Sequence, residues 1–224
     1  MRSYDDLCGL ARALAVVGER WALLVVRELL LGPKRFSDLS RGLPTMSQNV
    51  LSARLRELER AGVVTRRTLG PPASARVYEL TPRGRELEES LLALGRWGSR
   101  QPLPATGRLS VDALMLALRT TYDPGPAGEP VAPVALRLGA DRFVAEADRA
   151  GLRIRRDGGE RCAAVVDTDP RTLLEVVFGY RPRDEAEHHG TLRVTGERRI
   201  AERFLGCFTR PTATGDAGAA PAAG

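Results

Sequence analysis

Hydrogen-bonding side chains recur at helical spacing within residues 47–56 of this 224-residue sequence. They fill the positions that an apolar stripe of Leu51, Leu55 and Leu58 leaves open. Hydroxyl, amide and guanidinium groups bond to base edges in a DNA major groove, and arginine also neutralises phosphate. The pattern predicts a helix that enters a major groove. The predicted contacts come from Ser47, Gln48, Asn49, Ser52, Arg54 and Arg56.

Further cations follow where a hairpin would extend from that helix. Residues 63–68 and 76–80 are rich in β-branched and aromatic residues and flank a Gly-Pro-Pro loop, which is typical of a hairpin with a long tip. Any one of these cations could equally be a solvated surface charge, so the prediction depends on the order of the elements. The cations predicted to meet the DNA backbone are Lys34, Arg66, Arg67 and Arg76.

The surrounding elements predict a winged helix-turn-helix. Helices are expected over about 5–17, 20–31 and 36–41, and Thr45-Met46-Ser47-Gln48 fits a capping box that opens a fourth helix, ended by Gly62. Thr81 and Pro82 then begin a closing helix. Three helices, a basic hairpin and a closing helix would together place the fourth helix in the groove and the hairpin along the backbone.

The basic charge is confined to the first part of the chain. Residues 1–100 hold 17 Lys and Arg against 11 Asp and Glu, whereas residues 101–224 hold 17 against 17, so the net charge of +6 belongs to the first part. This favours nucleic acid as the partner over a membrane surface, because no segment pairs a basic face with a broad aromatic one. The sequence shows no apolar run long enough to span a bilayer and no signal-peptide pattern, so we expect a soluble, cytoplasmic protein.

Several short motifs follow one another along the first part of the chain. They are Cys8, Gly18-Glu-Arg-Trp21, Leu29-Leu-Leu-Gly-Pro-Lys-Arg-Phe36, Leu51-Ser-Ala-Arg-Leu-Arg-Glu-Leu58 and Tyr78-Glu-Leu-Thr-Pro-Arg-Gly84. In this order they resemble the HxlR-type transcriptional regulators of bacteria. The resemblance implies a dimeric winged helix protein that binds double-stranded operator DNA, with residues 47–56 on the recognition helix. It also implies a homodimer formed through the first and last helices, around Leu10, Leu14, Leu91, Leu94 and Trp97.

Cys8 aligns with a cysteine that senses oxidants or electrophiles in some members of that family. The neighbouring Asp5 and Asp6 would raise the pKa of the thiol, whereas a helix N-terminus would lower it. Two roles stay open for Cys8, a redox sensor and a small packing residue near the dimer interface. The three cysteines of the chain show no spacing typical of a zinc site or a disulfide framework.

A second domain is predicted over 110–210, after a linker at 101–109. Patterning gives a helix at 111–121, strands at 134–138, 142–147, 152–156, 162–166 and 190–194, a helix capped by Thr168-Asp169-Pro170, and a last helix at 197–208. The Ala/Gly/Pro-rich residues 211–224 predict a disordered tail. The predicted fold class is α+β, with a winged helix domain over 1–100 followed by a domain with an antiparallel sheet.

This second domain resembles the sterol-carrier-protein-like domains over residues 136–145, 163–175 and 190–197. The resemblance implies a tunnel for a lipid-like or other apolar effector, although the same side chains could fill a solid core. The candidate lining residues are Leu136, Phe143, Leu173, Val177, Phe178, Phe204 and Phe208. A module for oligomerisation or partner docking, without a ligand, is the alternative.

The remaining residues predict little further chemistry. The pair His188-His189 is interpreted as part of a charged loop, because sequence neighbours point to different sides and cannot share one metal ion. No nucleophile elbow, phosphate loop or dinucleotide motif occurs. We therefore expect a ligand-responsive transcriptional regulator with no enzymatic activity, cofactor or metal site. The alternative is a regulator that senses thiol chemistry through Cys8.

Overall fold

The computed structural model describes residues 4–71, 74–101, 107, 109–125, 131–157 and 161–209. Its internal contacts divide the chain into two units, Met1–Leu91 and Leu92–Gly224. Most of the predicted linker and the whole of the predicted tail lie outside the described residues. Each unit has its own core.

The first unit has the element order that the sequence predicts for a winged helix. Helices α1 (Gly9–Val17), α2 (Ala22–Leu29), α3 (Phe36–Gly42) and α4 (Gln48–Arg60) come first. Strands β1 (Val64–Thr68) and β2 (Arg76–Leu80) pair antiparallel, and α5 (Pro82–Arg85) and α6 (Leu87–Gly98) follow, with the unit boundary inside α6. The backbone of Lys34 forms an isolated antiparallel bridge with Tyr78, so the segment before α3 lies beside β2.

The core of the first unit is built from the apolar stripes of α2, α3 and α4. Leu39, Leu51, Leu55 and Leu58 are almost completely buried in one cluster with α2. Burying each such side chain contributes about 1.5–3 kcal/mol to the free energy of unfolding. This packing fixes the orientation of α4, so that the side of the helix away from the leucines faces outward.

Two helix starts in this unit differ from the prediction. Helix α1 begins at Gly9 rather than near Asp5, because the Asp6 side chain accepts a hydrogen bond from the Cys8 amide at 2.8 Å and holds the preceding residues in a turn. The predicted capping box from Thr45 to Gln48 is wrong. Ser47 is the N-cap of α4, and its hydroxyl accepts a hydrogen bond from the Val50 amide at 3.4 Å.

The second unit combines a sheet with helices. Helix α7 (Val111–Thr121) precedes β3 (Val131–Leu138), β4 (Asp141–Asp148) and β5 (Gly151–Arg156). Then come β6 (Ala164–Thr168), α8 (Pro170–Val177), α9 (Arg183–His188), β7 (Leu192–Gly196) and α10 (Arg198–Leu205). The sheet has the order β5-β4-β3-β6-β7. Its core includes Phe143 and Leu136 from the sheet and Leu173 and Phe204 from α8 and α10.

The prediction of an antiparallel sheet is wrong, because the sheet is mixed. Strand β6 runs parallel to β3, with Val134 opposite Ala164 and Leu138 opposite Thr168, whereas its other pairs are antiparallel. After β5 the chain crosses back to the start of β3, where the Ala163 amide donates to the Pro133 carbonyl at 3.1 Å. Alternating apolar residues fix which face of a strand is buried, but they carry no information on its direction.

Smaller differences in this unit have local causes. β6 and β7 begin two residues later than predicted, a shift that keeps the same faces buried because side chains alternate with a period of two. The pair His188-His189, interpreted as part of a charged loop, instead lies at the end of helix α9, whose Ala186 is buried.

Candidate nucleic-acid interface

Helices α3 and α4 are joined by a tight turn at residues 43–47. Leu43 and Met46 of this turn are buried in the core of the first unit and anchor the turn there. The Ser47 hydroxyl satisfies one of the free amides at the start of α4, so this exposed side chain is committed to capping. The first turn of α4 is thereby held in a defined position at the surface.

One side of α4 presents a row of exposed or half-exposed polar groups. With 3.6 residues per turn, Asn49, Ser52 and Arg56 fall on the side away from the leucine stripe, and Gln48 is exposed at the first turn of the helix. Arg56 is exposed and has no hydrogen-bond or ion-pair partner among the described residues. The structure places Asn49, Ser52 and Arg56 on one side of α4, and the contact of these residues with DNA stays a prediction.

Arg54 points the other way. It lies two residues before Arg56, which is about 200° of rotation around the helix, and its side chain is only 12% exposed. Its guanidinium pairs with Glu57 on α4 and with Glu19 in the turn before α2, the latter at 3.5 Å. The structure therefore does not bring Arg54 to the surface that carries Arg56.

The β1–β2 hairpin, which we call the wing, carries the other candidate cations. The Arg66 guanidinium lies over the Tyr78 ring at 5.2 Å and is 3.4 Å from Glu59 at the end of α4. Arg67 is 3.1 Å from Glu79 on the opposite strand. Arg76 is exposed at the end of the strand pair, without a partner among the residues described. All three reach the surface, and Arg76 is the least engaged.

Lys34 lies inside the first unit. Its ammonium group donates to the Glu28 carboxylate at 2.8 Å and the side chain is 12% exposed, so it is not presented to solvent as a phosphate contact would be. Glu28 itself is completely buried and also accepts from Arg27 at 2.9 Å. Sequence reasoning missed Glu28. The sequence feature that could have indicated a buried ion pair is a single carboxylate in a helix that is apolar nearly all round, six residues before the one lysine of the sequence.

Comparison with known proteins gives the family of this region. A sequence model described as HxlR-like helix-turn-helix matches residues 16–105. The HTH-type transcriptional regulator YvaP of Bacillus subtilis is 39% identical over 89 residues, which is 39% of this chain and 82% of the relative. The chain belongs to the HxlR-like helix-turn-helix family. It is a DNA-binding transcriptional regulator.

Other relatives carry the same kind of description. The HTH-type transcriptional regulator YodB of B. subtilis is 33% identical over 88 residues, 39% of this chain and 79% of the relative. The solved reduced form of YodB is 30% identical, with a TM-score of 0.39, and the match covers 45% of this chain and 100% of that one. The matched residues of this HxlR-like regulator include α4 and the wing.

Cys8 lies at the N-cap position of α1 and is exposed. Hydrogen bonds from the backbone amides of Leu10 and Ala11 lower the pKa of its thiol, because they stabilise the thiolate. By contrast, burial raises the pKa of Cys162 and of Cys207. The sequence suggested two opposing effects on the pKa of Cys8, from the neighbouring aspartates and from the helix start. The amide groups at the helix start dominate, so the pKa is lowered.

The candidate lining residues of the second unit are all buried. Phe204 and Phe208 meet edge to face with ring centroids 5.3 Å apart, and the Arg156 guanidinium lies 4.7 Å from the Phe143 ring centre. A cleft of about 410 Å³ in this unit lies elsewhere, beside Val144, Arg155 and Cys162. The predicted tunnel stays a prediction. Within the described part of the chain, none of the helices has both the length and the apolarity needed to cross a bilayer.

Proposed function

We propose that this HxlR-like regulator reads operator sequence with the exposed side of α4 and holds the DNA backbone with the wing. The observation that carries the proposal is that Asn49, Ser52 and Arg56 are exposed or half-exposed on the side of α4 away from a fully buried leucine stripe, with Gln48 exposed at the first turn. A helix with this distribution docks its polar side and leaves its apolar side in the core. Ser47 belongs to the same surface, where its hydroxyl orders the first turn.

Phosphate contacts are assigned to Arg66, Arg67 and Arg76. Each is exposed on the wing, and two of them exchange partners between a glutamate and a phosphate when DNA arrives. The ion pairs with Glu59 and Glu79 are surface pairs worth at most about 1 kcal/mol each, so they do not prevent this exchange. Lys34 and Arg54 are not included, because the side chain of each is only 12% exposed and is paired with a carboxylate of the first unit.

The first test of this assignment compares duplexes in a binding assay. Fluorescence anisotropy with a duplex recovered from genomic DNA and with a shuffled duplex separates specific from general affinity. We expect an Asn49→Ala protein to lose the preference for the recovered duplex while its affinity for the shuffled one is kept. Equal affinity of the wild-type protein for both duplexes, at near-physiological salt, would refute sequence-specific binding.

A homodimer is proposed on the basis of exposed apolar side chains. Leu10 and Leu14 on α1 are 67% and 40% exposed, and Leu94 and Trp97 on α6 are 51% and 64% exposed. Water contact at so many large apolar groups is relieved when a second copy covers them. Leu91 is not included among these residues, because it is buried in the core of its own unit. Two recognition helices in such a dimer would meet successive major grooves.

The second unit is proposed as a sterol-carrier-like module that holds an apolar effector and has no enzymatic activity. The support is the concentration of buried aromatic and aliphatic side chains on the sheet, α8 and α10. Mass spectrometry of an organic extract of the purified protein tests this directly. A stoichiometric apolar molecule whose removal changes DNA affinity supports an effector. A protein with no extractable molecule, whose DNA affinity is unaffected by added lipids, supports the docking module instead.

A second candidate function is thiol sensing by Cys8, favoured by its exposure and its lowered pKa. Iodoacetamide labelling at increasing pH, read by peptide mass spectrometry, compares Cys8 with Cys162 and Cys207 in one sample. We expect Cys8 to react at a lower pH than the other two, because only the thiolate is nucleophilic. Modification of Cys8 that leaves DNA affinity unchanged would contradict a sensing role. The proposed site of action for either function is the bacterial cytoplasm.

A further inference from the structure

Glu28 has no part in the DNA surface, yet it is the completely buried carboxylate of the first unit's core. One of its oxygens accepts hydrogen bonds from the Arg27 guanidinium at 2.9 and 3.2 Å. The other accepts from the Lys34 ammonium at 2.8 Å. A buried ion pair is weak evidence for stability, because its desolvation offsets much of the attraction. A structural role that depends on geometry explains the arrangement better.

Glu28 contacts both ends of α3. Lys34 lies two residues before this helix, and Gly42 is its last residue. Gly42 packs directly on the Glu28 carboxylate, and a Cβ atom at position 42 would collide with it. The first helix of the helix-turn-helix pair is therefore held at its start and at its end by one side chain of α2.

The same contact extends to the wing. The Lys34 amide donates to the Tyr78 carbonyl at 2.9 Å, and the Tyr78 amide donates back to the Lys34 carbonyl at 2.8 Å. The Tyr78 ring lies under the Arg66 guanidinium, which reaches Glu59 on α4 at 3.4 Å. A continuous series of contacts thus runs from the Glu28 carboxylate through Lys34 and Tyr78 to the wing and back to the recognition helix.

We propose that Glu28 is a positioning residue for DNA binding, which sets the placement of the wing relative to the helix-turn-helix through Lys34 and Gly42. The inference rests on the proposed function, in which α4 and the wing contact one DNA duplex together. Glu28 touches no DNA. Its substitution removes the contribution of the wing while the wing arginines remain in the sequence.

The test is a double-substitution cycle on the full chain with a fluorescent duplex of mixed sequence at low salt. Wing contacts to phosphate are independent of sequence, so no operator is needed. Arg67→Ala/Arg76→Ala is introduced into the wild type, into Glu28→Gln and into Glu19→Gln. The last is the control, because it removes a carboxylate from the ion pairs of Arg54, whose partners Glu19 and Glu57 both lie outside the wing.

We expect the loss of the two wing arginines to lower duplex affinity about tenfold in the wild type and in Glu19→Gln, but less than about twofold in Glu28→Gln. Equal losses of duplex affinity in all three proteins would overturn the proposal. A residue that only stabilises the fold would leave the effect of the wing substitutions on affinity unchanged. Glu28→Gln removes the negative charge that faces the Lys34 ammonium, so Glu28→Gln/Lys34→Gln, which removes the positive charge as well, is measured beside it and is expected to behave the same way.

Hydrogen exchange on the DNA-free proteins separates this inference from the proposed function. The Lys34 and Tyr78 amides should exchange faster in Glu28→Gln than in Glu19→Gln, while the Leu55 and Leu58 amides of α4 stay protected. Unchanged exchange at Lys34 and Tyr78, or equal loss throughout the unit, overturns the positioning role. If the wing substitutions leave the duplex affinity of the wild type unchanged, the DNA contact of the wing is refuted. Faster exchange confined to the Lys34 and Tyr78 amides would in that case still support Glu28 as the residue that positions the wing.

Discussion

At the scale of single residues, Arg54 and Arg56 show how little residue type says without orientation. Both are arginines of α4, and both were predicted to contact DNA. Arg56 is exposed, whereas Arg54 is nearly buried and pairs with Glu19 and Glu57. The helical period could have predicted this difference in exposure, since Arg54 lies next to the leucine stripe and Arg56 does not.

Arg54 and Arg56 are therefore expected to respond differently to truncation. Arg56→Ala should weaken DNA binding by about 1–3 kcal/mol if it reaches a base or a phosphate, with little effect on unfolding. Arg54→Ala should lower the free energy of unfolding by about 1 kcal/mol, through the loss of its ion pairs with the half-exposed Glu19 and Glu57 and of the packing of its own nearly buried side chain. Urea denaturation and fluorescence anisotropy on both proteins check this. Equal loss of DNA affinity in stably folded Arg54→Ala would contradict the orientation of α4.

Lys34 and Glu28 are a second case at this scale. Lys34, which precedes α3, was predicted to meet the DNA backbone, but its ammonium group is held by the carboxylate of Glu28, six residues earlier. Charge alone could not predict this, since a buried acid attracts a cation only when the fold brings them together. The proximity of Lys34 to Tyr78 is likewise a tertiary contact.

At the scale of elements, local signals predicted the first unit well. The bounds of α4 and of both wing strands follow from an apolar stripe, a closing glycine and β-branched runs, all of which act over a few residues. The start of α4 was shifted because Thr45, Ser47 and Gln48 offer competing caps, and burial of Met46 leaves Ser47 in the capping position. The parallel pairing of β3 and β6 depends on contacts between distant segments, which no local pattern encodes.

The helix and the wing should make separable contributions to DNA binding. Asn49→Ala should relax the preference at one base pair, costing about 1–3 kcal/mol on the preferred site alone. Arg76→Ala should weaken binding to every sequence about equally and reduce the salt dependence by about one unit of slope. Titrations of both proteins on matched and mismatched duplexes at several salt concentrations check this. Identical behaviour of the two variants would show that the helix and wing roles are misassigned.

The start of α8 gives a prediction on pH in the second unit. Burial acts to raise the pKa of Asp169, but hydrogen bonds from Thr172 and Arg171 outweigh it and hold the pKa below the usual aspartate value. Asp169 therefore stabilises the fold at neutral pH, and this contribution is lost as pH falls through the lowered pKa.

Asp169→Ala should cost about 1 kcal/mol of unfolding free energy at pH 7, the usual value of an N-cap. Its difference from the wild type should shrink at pH values below the ordinary aspartate range. Urea denaturation followed by circular dichroism at both pH values measures this. A difference that does not change with pH would mean that the carboxylate charge has no part in capping α8.

At the scale of the whole molecule, the two units differ in charge and in fold. The basic excess and the family match belong to the first part of the chain, while residues 101–224 are balanced in charge and build the mixed sheet. The exposed apolar groups on α1 and α6 are the features that call for a second copy. Patterning predicted these helices, but only the packing shows that Leu91 is used internally and Leu10 is not.

Leu10→Glu/Leu14→Glu should convert a dimer into a folded monomer, because two charges would be buried in the interface. Light scattering after size exclusion chromatography gives the mass of the protein. Operator affinity should fall at the same time, since each monomer then binds its half-site without a partner. Tyr180→Glu, a charge at an exposed aromatic residue of the second unit, is the control and should stay dimeric. A dimer that persists in the double variant would place the interface elsewhere.

The central claim, that the exposed side of α4 reads a DNA sequence, is tested most directly by selection. Sheared genomic DNA is incubated at near-physiological salt with the wild-type chain and, in parallel, with Asn49→Ala, and the bound fragments are sequenced. The account predicts that the wild type enriches a palindromic site with half-sites about one helical turn apart, and that Asn49→Ala relaxes the preference within each half-site. Random fragments from both proteins, released alike by salt, would contradict it.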